Sequence, residues 1–163
     1  MCSFFSVTIV SFWNDGSANR SLLEANHDKL IVLKVYSKWC KSCKAMGPKF
    51  EALARGIEAN HRGGPALPII WATLPYNQDT SHFARRTLGV KKVPSVQLYA
   101  GNGVMVDSFP CGPAKVKTVL LPKMAALVTN HVDVSTGTLR TIAANATGTA
   151  TNQAATDIRK LRP

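Results

Sequence analysis

Apolar residues in the first half of the chain fall in short runs whose internal spacing distinguishes strands from helices. Residues 29–37 contain a nearly continuous apolar run, which is typical of a strand buried on both faces of a sheet. Residues 6–12 alternate between two faces, and residues 67–73 form another short apolar run, so both segments are predicted strands. Residues 41–60 instead carry apolar side chains at helical spacing, namely Ala45, Met46, Phe50, Leu53 and Ala54.

Residues 94–109 have the pattern of a β-hairpin. Two apolar runs, 94–100 and 104–109, flank a turn that contains Asn102 and Gly103. An Asn-Gly pair between two strands is the strongest short-range hairpin signal, because both residues tolerate the positive φ angles of a tight turn. We therefore predict two adjacent antiparallel strands in this part of the chain.

Three further segments carry helical signals. Residues 20–26 follow residues that can cap a helix, and residues 80–88 are followed by Gly89, a usual C-terminal stop. Residues 113–128 begin with a proline, which suits a first helical turn, but Pro122 should bend or interrupt this helix because proline lacks the N–H donor. The element order βαβαβαββα predicts an α/β fold with a central mixed β-sheet flanked by helices on both faces.

The composition changes after residue 128. Residues 129–163 are rich in Thr, Ala and Asn and contain no aromatic residue. Such a segment cannot bury enough apolar area to offset the entropy that it loses on ordering. The sequence therefore predicts a folded domain at 1–128 and a disordered low-complexity tail at 129–163.

Cys40 and Cys43 lie where the predicted strand 29–37 gives way to the predicted helix 41–60. Three residues of separation at the start of a helix bring both sulfurs to one side, close enough for a disulfide. The unpaired N–H groups and partial positive charge at a helix N-terminus favour the thiolate of Cys40, which is the nucleophilic form.

Two other interpretations of this Cys-x-x-Cys pair are open from its spacing: half of a zinc site, or two inert buried thiols. Zinc normally takes four ligands, and Cys2, Cys111 and the four scattered histidines offer no second ligand pair at finger-like spacing. We therefore predict no metal. The position of the pair between a strand and a helix in an alternating pattern favours redox chemistry.

Two stretches of the chain resemble the thioredoxin family. Residues 35–44, which read Val-Tyr-Ser-Lys-Trp-Cys-Lys-Ser-Cys-Lys, are similar to its active-site segment, and Pro48 stands where thioredoxins have the proline of the active-site helix. Residues 88–95, Leu-Gly-Val-Lys-Lys-Val-Pro-Ser, resemble its cis-proline loop. The match extends in order over about residues 6–128 and implies the thioredoxin fold.

The resemblance also implies a function, namely a thiol–disulfide oxidoreductase that reduces protein disulfides by dithiol–disulfide exchange, within cell redox homeostasis and electron transport. Cys40 would be the nucleophile and Cys43 the resolving cysteine, and together they would form the redox-active disulfide without a cofactor. The expected partners are disulfide-containing proteins and a thioredoxin reductase or equivalent electron donor. The expected substrate-binding residues are Trp39, Lys41, Ser42, Val93, Pro94 and Cys111.

Three features depart from the usual thioredoxin pattern. Lys41 and Ser42 replace the Gly-Pro that most thioredoxins carry between the cysteines, and a cation beside Cys40 favours its thiolate. Lys34 stands where many thioredoxins have a buried aspartate that assists deprotonation of the resolving cysteine, so slower resolution is expected. Cys111 takes the place of a glycine of the substrate groove. If it is exposed, its oxidation would block substrate access; if it points into the core, it would be inert.

Charge and composition narrow the choice of partner and compartment. The net charge is +11, but no aromatic residues interleave with the lysines and arginines, which argues against nucleic acid and favours substrate proteins with acidic surfaces. No apolar run reaches the ~18 residues of a membrane span, and residues 1–11 lack the features of a signal peptide. Four cysteines are too few for a disulfide scaffold. We expect a monomer in an intracellular reducing compartment, the cytoplasm first and a plastid or another organelle as the alternative.

Two other functions are compatible with the same motifs. A binding module could use the thioredoxin-like groove with weak or no turnover, because Lys34 and Cys111 would impair catalysis. A protein-disulfide oxidant or isomerase would use the same two cysteines at a higher reduction potential.

Overall fold

The computed structural model describes residues 9–11, 25–60 and 64–140 and has a five-stranded sheet at its centre. The first three strands in the sheet are parallel, and the last two are each antiparallel to the neighbour before them. The mixed sheet that the sequence predicts is therefore confirmed. The spatial order is β1 (Ile9–Ser11), β3 (Ile69–Pro75), β2 (Leu30–Tyr36), β4 (Ser95–Ala100) and β5 (Val104–Pro110).

The central strand β2 is covered on both faces. Because alternate residues of a strand point to opposite faces, Leu30 and Val32 join one apolar core, whereas Ile31, Leu33 and Val35 join the other. This double burial explains why the segment is a continuous apolar run rather than an alternating one.

Helices lie on both faces of the sheet, as predicted. The long helix α1 (Lys41–Asn60) buries Met46 and Phe50 in the first core, where the Phe50 ring meets Trp71 edge to face with ring centroids 5.3 Å apart. The short helix α2 (Ser81–Arg86) packs on the opposite face.

The last helical segment joins the first core, and it changes geometry where Pro122 was expected to disturb it. A π-helical turn over Val116–Leu120 leads into the helix α3 (Leu121–His131). Pro122 therefore lies in the first turn of α3, where an absent N–H donor costs little. The expected interruption takes the form of a wider turn before the proline.

The described chain continues in a folded form beyond the predicted domain end at residue 128. After α3, two short strands, β6 (Val132–Asp133) and β7 (Thr138–Leu139), pair antiparallel. Val132 is 1% exposed and belongs to the first core, and Leu139 packs against that core. Val132 and Leu139 are few among many polar residues, so the composition of the segment did not indicate that it packs on the core. Residues 141–163 lie outside the described residues, so the tail remains a prediction for them.

Parts of two other predicted elements also lie outside the described residues. The predicted first strand, 6–12, is described at 9–11, and most of the predicted helix 20–26 falls in the gap at 12–24. None of the helices in the described ranges is long and apolar enough to cross a membrane.

We expect Val132→Ala to lower the unfolding free energy by about 1–2 kcal/mol, because it removes two methyl groups from a side chain buried in the core. The melting temperature should fall by about 3–6 °C in thermal denaturation followed by circular dichroism. The matched control is Val134→Ala, since Val134 is 50% exposed and its truncation should change the free energy by less than about 0.5 kcal/mol. A change of less than about 0.5 kcal/mol in both variants would show that the segment after α3 does not dock on the core.

Candidate active site

Cys40 stands immediately before α1 and caps it. Its carbonyl oxygen accepts the N–H of Lys44 at 3.1 Å, and its sulfur accepts the N–H of Cys43 at 3.1 Å. The sulfur therefore takes the position that a hydroxyl or carboxylate oxygen has in an ordinary N-cap. Because the helix dipole is positive at this end, negative charge that develops on the sulfur during a reaction is stabilised.

Cys43 lies one turn further along and faces the interior. Its side chain is 4% exposed, whereas that of Cys40 is partly exposed. Burial, with a smaller contribution from the hydrogen bond with Cys40, raises the pKa of Cys43 to about 11, while a backbone hydrogen bond from Ser37 and the nearby Lys34 oppose the shift. Cys43 is thus a protonated, sheltered thiol at neutral pH, and Cys40 is the thiol that an incoming disulfide can reach.

The loop before β4 lies directly against Cys40. The Val93–Pro94 peptide bond is cis, as the resemblance implied, and the Cys40 thiol points to the Val93 carbonyl oxygen with a sulfur–oxygen distance of 3.9 Å. The Pro94 carbonyl accepts the N–H of Cys111 at 3.0 Å, and the Ser95 hydroxyl donates to the Phe109 carbonyl at 3.1 Å. The end of β5 therefore holds this loop in place beside the nucleophile.

Trp39 presents an aromatic surface on the other side of Cys40. It is 91% exposed and borders a cleft of about 480 Å³ whose far wall includes Pro75, Tyr76 and Arg85. The Arg85 guanidinium lies over the Tyr76 ring and donates a hydrogen bond to its hydroxyl. Lys41 and Ser42, between the two cysteines, are both exposed. Of the predicted substrate-contact residues, Trp39, Lys41 and Ser42 are thus exposed, Val93 is half-buried, and Pro94 and Cys111 are buried.

Tyr76 and Arg85 were not singled out from the sequence. The backbone N–H of Tyr76 donates to the carbonyl of Tyr36 at 2.6 Å, so the residues after β3 lie beside the end of β2. Parallel pairing of the two strands would have indicated this proximity, since the carboxyl ends of parallel strands meet at one edge of a sheet.

Lys34 is buried, with 7% of its surface exposed, and lies on the α1 side of β2. Its ammonium nitrogen is 4.9 Å from the centroid of the Phe50 ring and 5.2 Å from that of Tyr36. Burial lowers the pKa of Lys34, while the charges of Glu51 and Cys43 oppose the shift. The lysine therefore does not extend outward from the position where many thioredoxins have an aspartate.

The position of Cys111 corrects the expectation that it lines the substrate groove. Its side chain is 0% exposed and belongs to the first core, and only its backbone N–H serves the loop that contains Pro94. Burial raises the pKa of Cys111 to about 11, with Lys115 opposing the shift. Phe109 packs against the first core and Pro110 is exposed, so the alternation of side chains along β5 turns the next residue, Cys111, back towards the core. The exposed redox switch considered from sequence has no accessible sulfur in this structure.

Within residues 9–11, 25–60 and 64–140, the structure has no group of three His, Cys, Asp or Glu side chains that could bind a metal ion.

We expect Cys111 to resist iodoacetamide in the native protein and to react after unfolding in guanidinium, because its sulfur is inaccessible and protonated. Cys40 is the internal control and should be modified first. Peptide mass spectrometry reports both sites. Wild type and Cys111→Ser should also lose activity equally after treatment with oxidised glutathione. Alkylation of Cys111 at a rate near that of Cys40 would contradict this placement.

Comparison with known proteins shows which family the chain is similar to. The family model described as Thioredoxin matches residues 14–115. The chain is 33% identical over 84 residues to the chloroplastic thioredoxin F-type of Spinacia oleracea, and 34% identical over 80 residues to that of Mesembryanthemum crystallinum. These alignments cover 52% and 49% of the chain, and they span only 39% and 36% of the two relatives.

The structural comparison extends over more of the chain. The crystal structure of the short form of spinach chloroplast thioredoxin F superposes with a TM-score of 0.56 at 28% identity, covering 77% of this chain and 98% of that one. The strand order, the Cys-x-x-Cys pair at the start of α1 and the cis proline opposite it agree with this likeness. The chain therefore belongs to the thioredoxin family and has the thioredoxin fold.

Proposed function

We propose that the chain is a protein-disulfide reductase of the thioredoxin type. The observation that carries the proposal is the different exposure of two thiols on one helical turn. Cys40 is partly exposed at the N-terminus of α1 and lies 3.9 Å from the Val93 carbonyl oxygen, whereas Cys43 is 4% exposed behind it. An accessible nucleophile and a sheltered second thiol are what sequential thiol–disulfide exchange requires.

In the first step the Cys40 thiolate attacks one sulfur of a substrate disulfide. A mixed disulfide forms, and the other substrate sulfur leaves as a thiolate. In the second step Cys43 loses its proton and attacks the Cys40 sulfur, so the second substrate sulfur leaves and the Cys40–Cys43 disulfide forms. Two electrons pass to the substrate, and an external dithiol or a reductase must return them before the next cycle.

The substrate segment lies between Trp39 and the loop that contains Val93 and Pro94 in this proposal. The Val93 backbone can pair with an extended chain there, and the exposed Trp39 ring supplies apolar contact. Lys41 and Ser42 lie at the centre of this surface, because they occupy the exposed turn between the cysteines.

We also propose partners with acidic surfaces. The net charge of +11 supports this, and exposed lysines surround the site at positions 38, 41, 44, 91 and 92. A thioredoxin reductase or an equivalent electron donor is the proposed source of electrons. The compartment we propose is the plastid, since the relatives described above are chloroplastic thioredoxins; the cytoplasm, first expected from composition, has no support from these relatives.

We expect Cys40→Ser to abolish insulin reduction by dithiothreitol, measured as the turbidity of the released B chain, because no other described thiol is accessible at the site. Cys43→Ser should instead capture substrate as a stable mixed disulfide on Cys40, which peptide mass spectrometry locates. Capture on Cys43 in a Cys40→Ser background would reverse the assignment of the two roles.

Wild type must accelerate insulin reduction above the dithiothreitol background if the proposal is correct. No acceleration, with intact folding, would favour a binding module without turnover. The reduction potential distinguishes a reductase from an oxidant or isomerase, since that of thioredoxin is about −270 mV and that of protein disulfide isomerase is about −180 mV.

We expect the charge reversal Lys91→Glu with Lys92→Glu to raise the KM for an acidic protein substrate about threefold or more at low salt, and to leave reduction of a small neutral disulfide unchanged. The effect should shrink above about 0.3 M salt, because screening shortens the reach of surface charges. Equal effects on both substrates would argue against charge-based recognition.

A further inference from the structure

Lys34 is a buried ionisable side chain that the exchange steps described so far leave unused. Among the residues that the structure describes, Lys34 is the one Lys, Arg, Asp or Glu that is buried, with 7% of its surface exposed. A buried ammonium group loses most of its hydration, which is costly unless other groups compensate. A buried Lys34 ammonium group therefore requires specific interactions that stabilise its charge.

The surroundings of Lys34 hold the side chain in a defined place. Lys34 in β2 pairs with Thr73 in β3, and its side chain points towards Phe50 of α1. The Phe50 and Tyr36 rings lie 4.9 Å and 5.2 Å from the ammonium nitrogen, and aromatic faces attract a desolvated cation. These contacts replace part of the lost hydration without neutralising the charge.

A solvent-connected cavity of about 520 Å³ joins Lys34 to Cys43, and both residues line it together with Thr73. The other charged groups that face this cavity are Lys38, Lys44 and Glu51, all of them exposed, so solvent screens their charges. Tyr36 is the remaining titratable lining group, and Cys40 lies beside Cys43. Within the described ranges no carboxylate approaches the Lys34 ammonium to ion-pair distance, 4 Å.

We propose that Lys34 is a positioning residue for the second exchange step, in which its ammonium group stabilises the thiolate of Cys43 as that thiolate attacks Cys40. The proposal rests on the proposed disulfide reduction and deepens it. Cys43 gives up its proton to water in the cavity, and its sulfur bonds to the Cys40 sulfur. The bond between Cys40 and the substrate sulfur breaks, and the substrate sulfur leaves with the electron pair and takes a proton from solvent.

The electrostatics of the pair agree with this role. Burial raises the pKa of Cys43 to about 11, and the charge of Lys34 acts in the opposite direction on that thiol. The coupling is reciprocal, since a thiolate at Cys43 raises the pKa of Lys34, in opposition to the larger lowering by burial. A carboxylate at this position would instead repel the thiolate. Lys34 therefore favours resolution, which reverses the expectation from sequence that it would slow this step.

The test separates the two exchange steps by stopped-flow reaction with 5,5′-dithiobis(2-nitrobenzoate). Attack by Cys40 releases the first thionitrobenzoate, and displacement by Cys43 releases the second, so each step has its own absorbance phase. The background is Cys2→Ser with Cys111→Ser, which leaves only the two active-site thiols. Cys43→Ser in this background identifies the phases, because it should release the first equivalent alone.

Lys34→Met should slow the second phase about three- to tenfold at pH 7 and move its pH profile upward by about one unit, with the first phase changed less than twofold. A thiol pKa one unit higher leaves about a tenth of the thiolate, and the greater nucleophilicity of that thiolate offsets part of the loss. Lys34→Arg, which keeps the charge, should retain most of the wild-type rate. Lys49→Met is the matched control, an exposed lysine further along α1 that does not line this cavity, and should change neither phase by more than twofold.

An unchanged second phase and pH profile in Lys34→Met would overturn the inference while leaving disulfide reduction intact. So would a Lys34→Arg variant that is folded, has a normal first phase and resolves as slowly as Lys34→Met. A wild-type protein that releases only the first equivalent would instead contradict the proposed function itself. Melting curves of the three lysine variants show whether each is folded when its phases are compared.

Discussion

The packing of α1 onto the sheet is the interaction on which the active site depends. Met46 and Phe50 are fully buried between the helix and the strands, and the Phe50 ring meets Trp71 of β3 edge to face. A helix anchored this way cannot slide or rotate without opening the first core. Its N-terminus therefore stays at the carboxyl end of β2, which is where Cys40 begins the helix.

Helix geometry then divides the chemistry between two cysteines. Cys40 is the cap and faces solvent, whereas Cys43 lies one turn inside and faces the core. Three residues of spacing keep the sulfurs on one side of the helix while their environments differ. One backbone feature thus gives an accessible thiol and a sheltered one, and the Val93 carbonyl oxygen lies 3.9 Å from the Cys40 sulfur.

The environment of Cys43 is set by strand pairing as well as by the helix. The parallel register of β2 and β3 places Lys34 beside Thr73, and the aromatic rings of Phe50 and Tyr36 take the place of water around its ammonium group. The core that anchors α1 therefore also holds Lys34, which lines the same cavity as Cys43. Many thioredoxins have a carboxylate at this position. The opposite charge is accommodated here because the two aromatic rings attract the ammonium group and the cavity connects it to solvent.

The sequence by itself determined the order of strands and helices between residues 29 and 128, the mixed α/β architecture and the identity of the cysteine pair. These depend on local properties: apolar spacing, the Asn102-Gly103 turn, and the position of Cys40 and Cys43 between a strand and a helix. Only the tertiary structure decided which side chains are exposed. Cys111 follows a strand whose end turns the sulfur into the core, and Val132 is buried in the first core although composition predicted its segment to be disordered. Tyr76 and Arg85 approach Trp39 through strand pairing between segments far apart in the chain. Burial depends on what packs against a residue from a distance, and neither the type of the residue nor its sequence neighbours specify it.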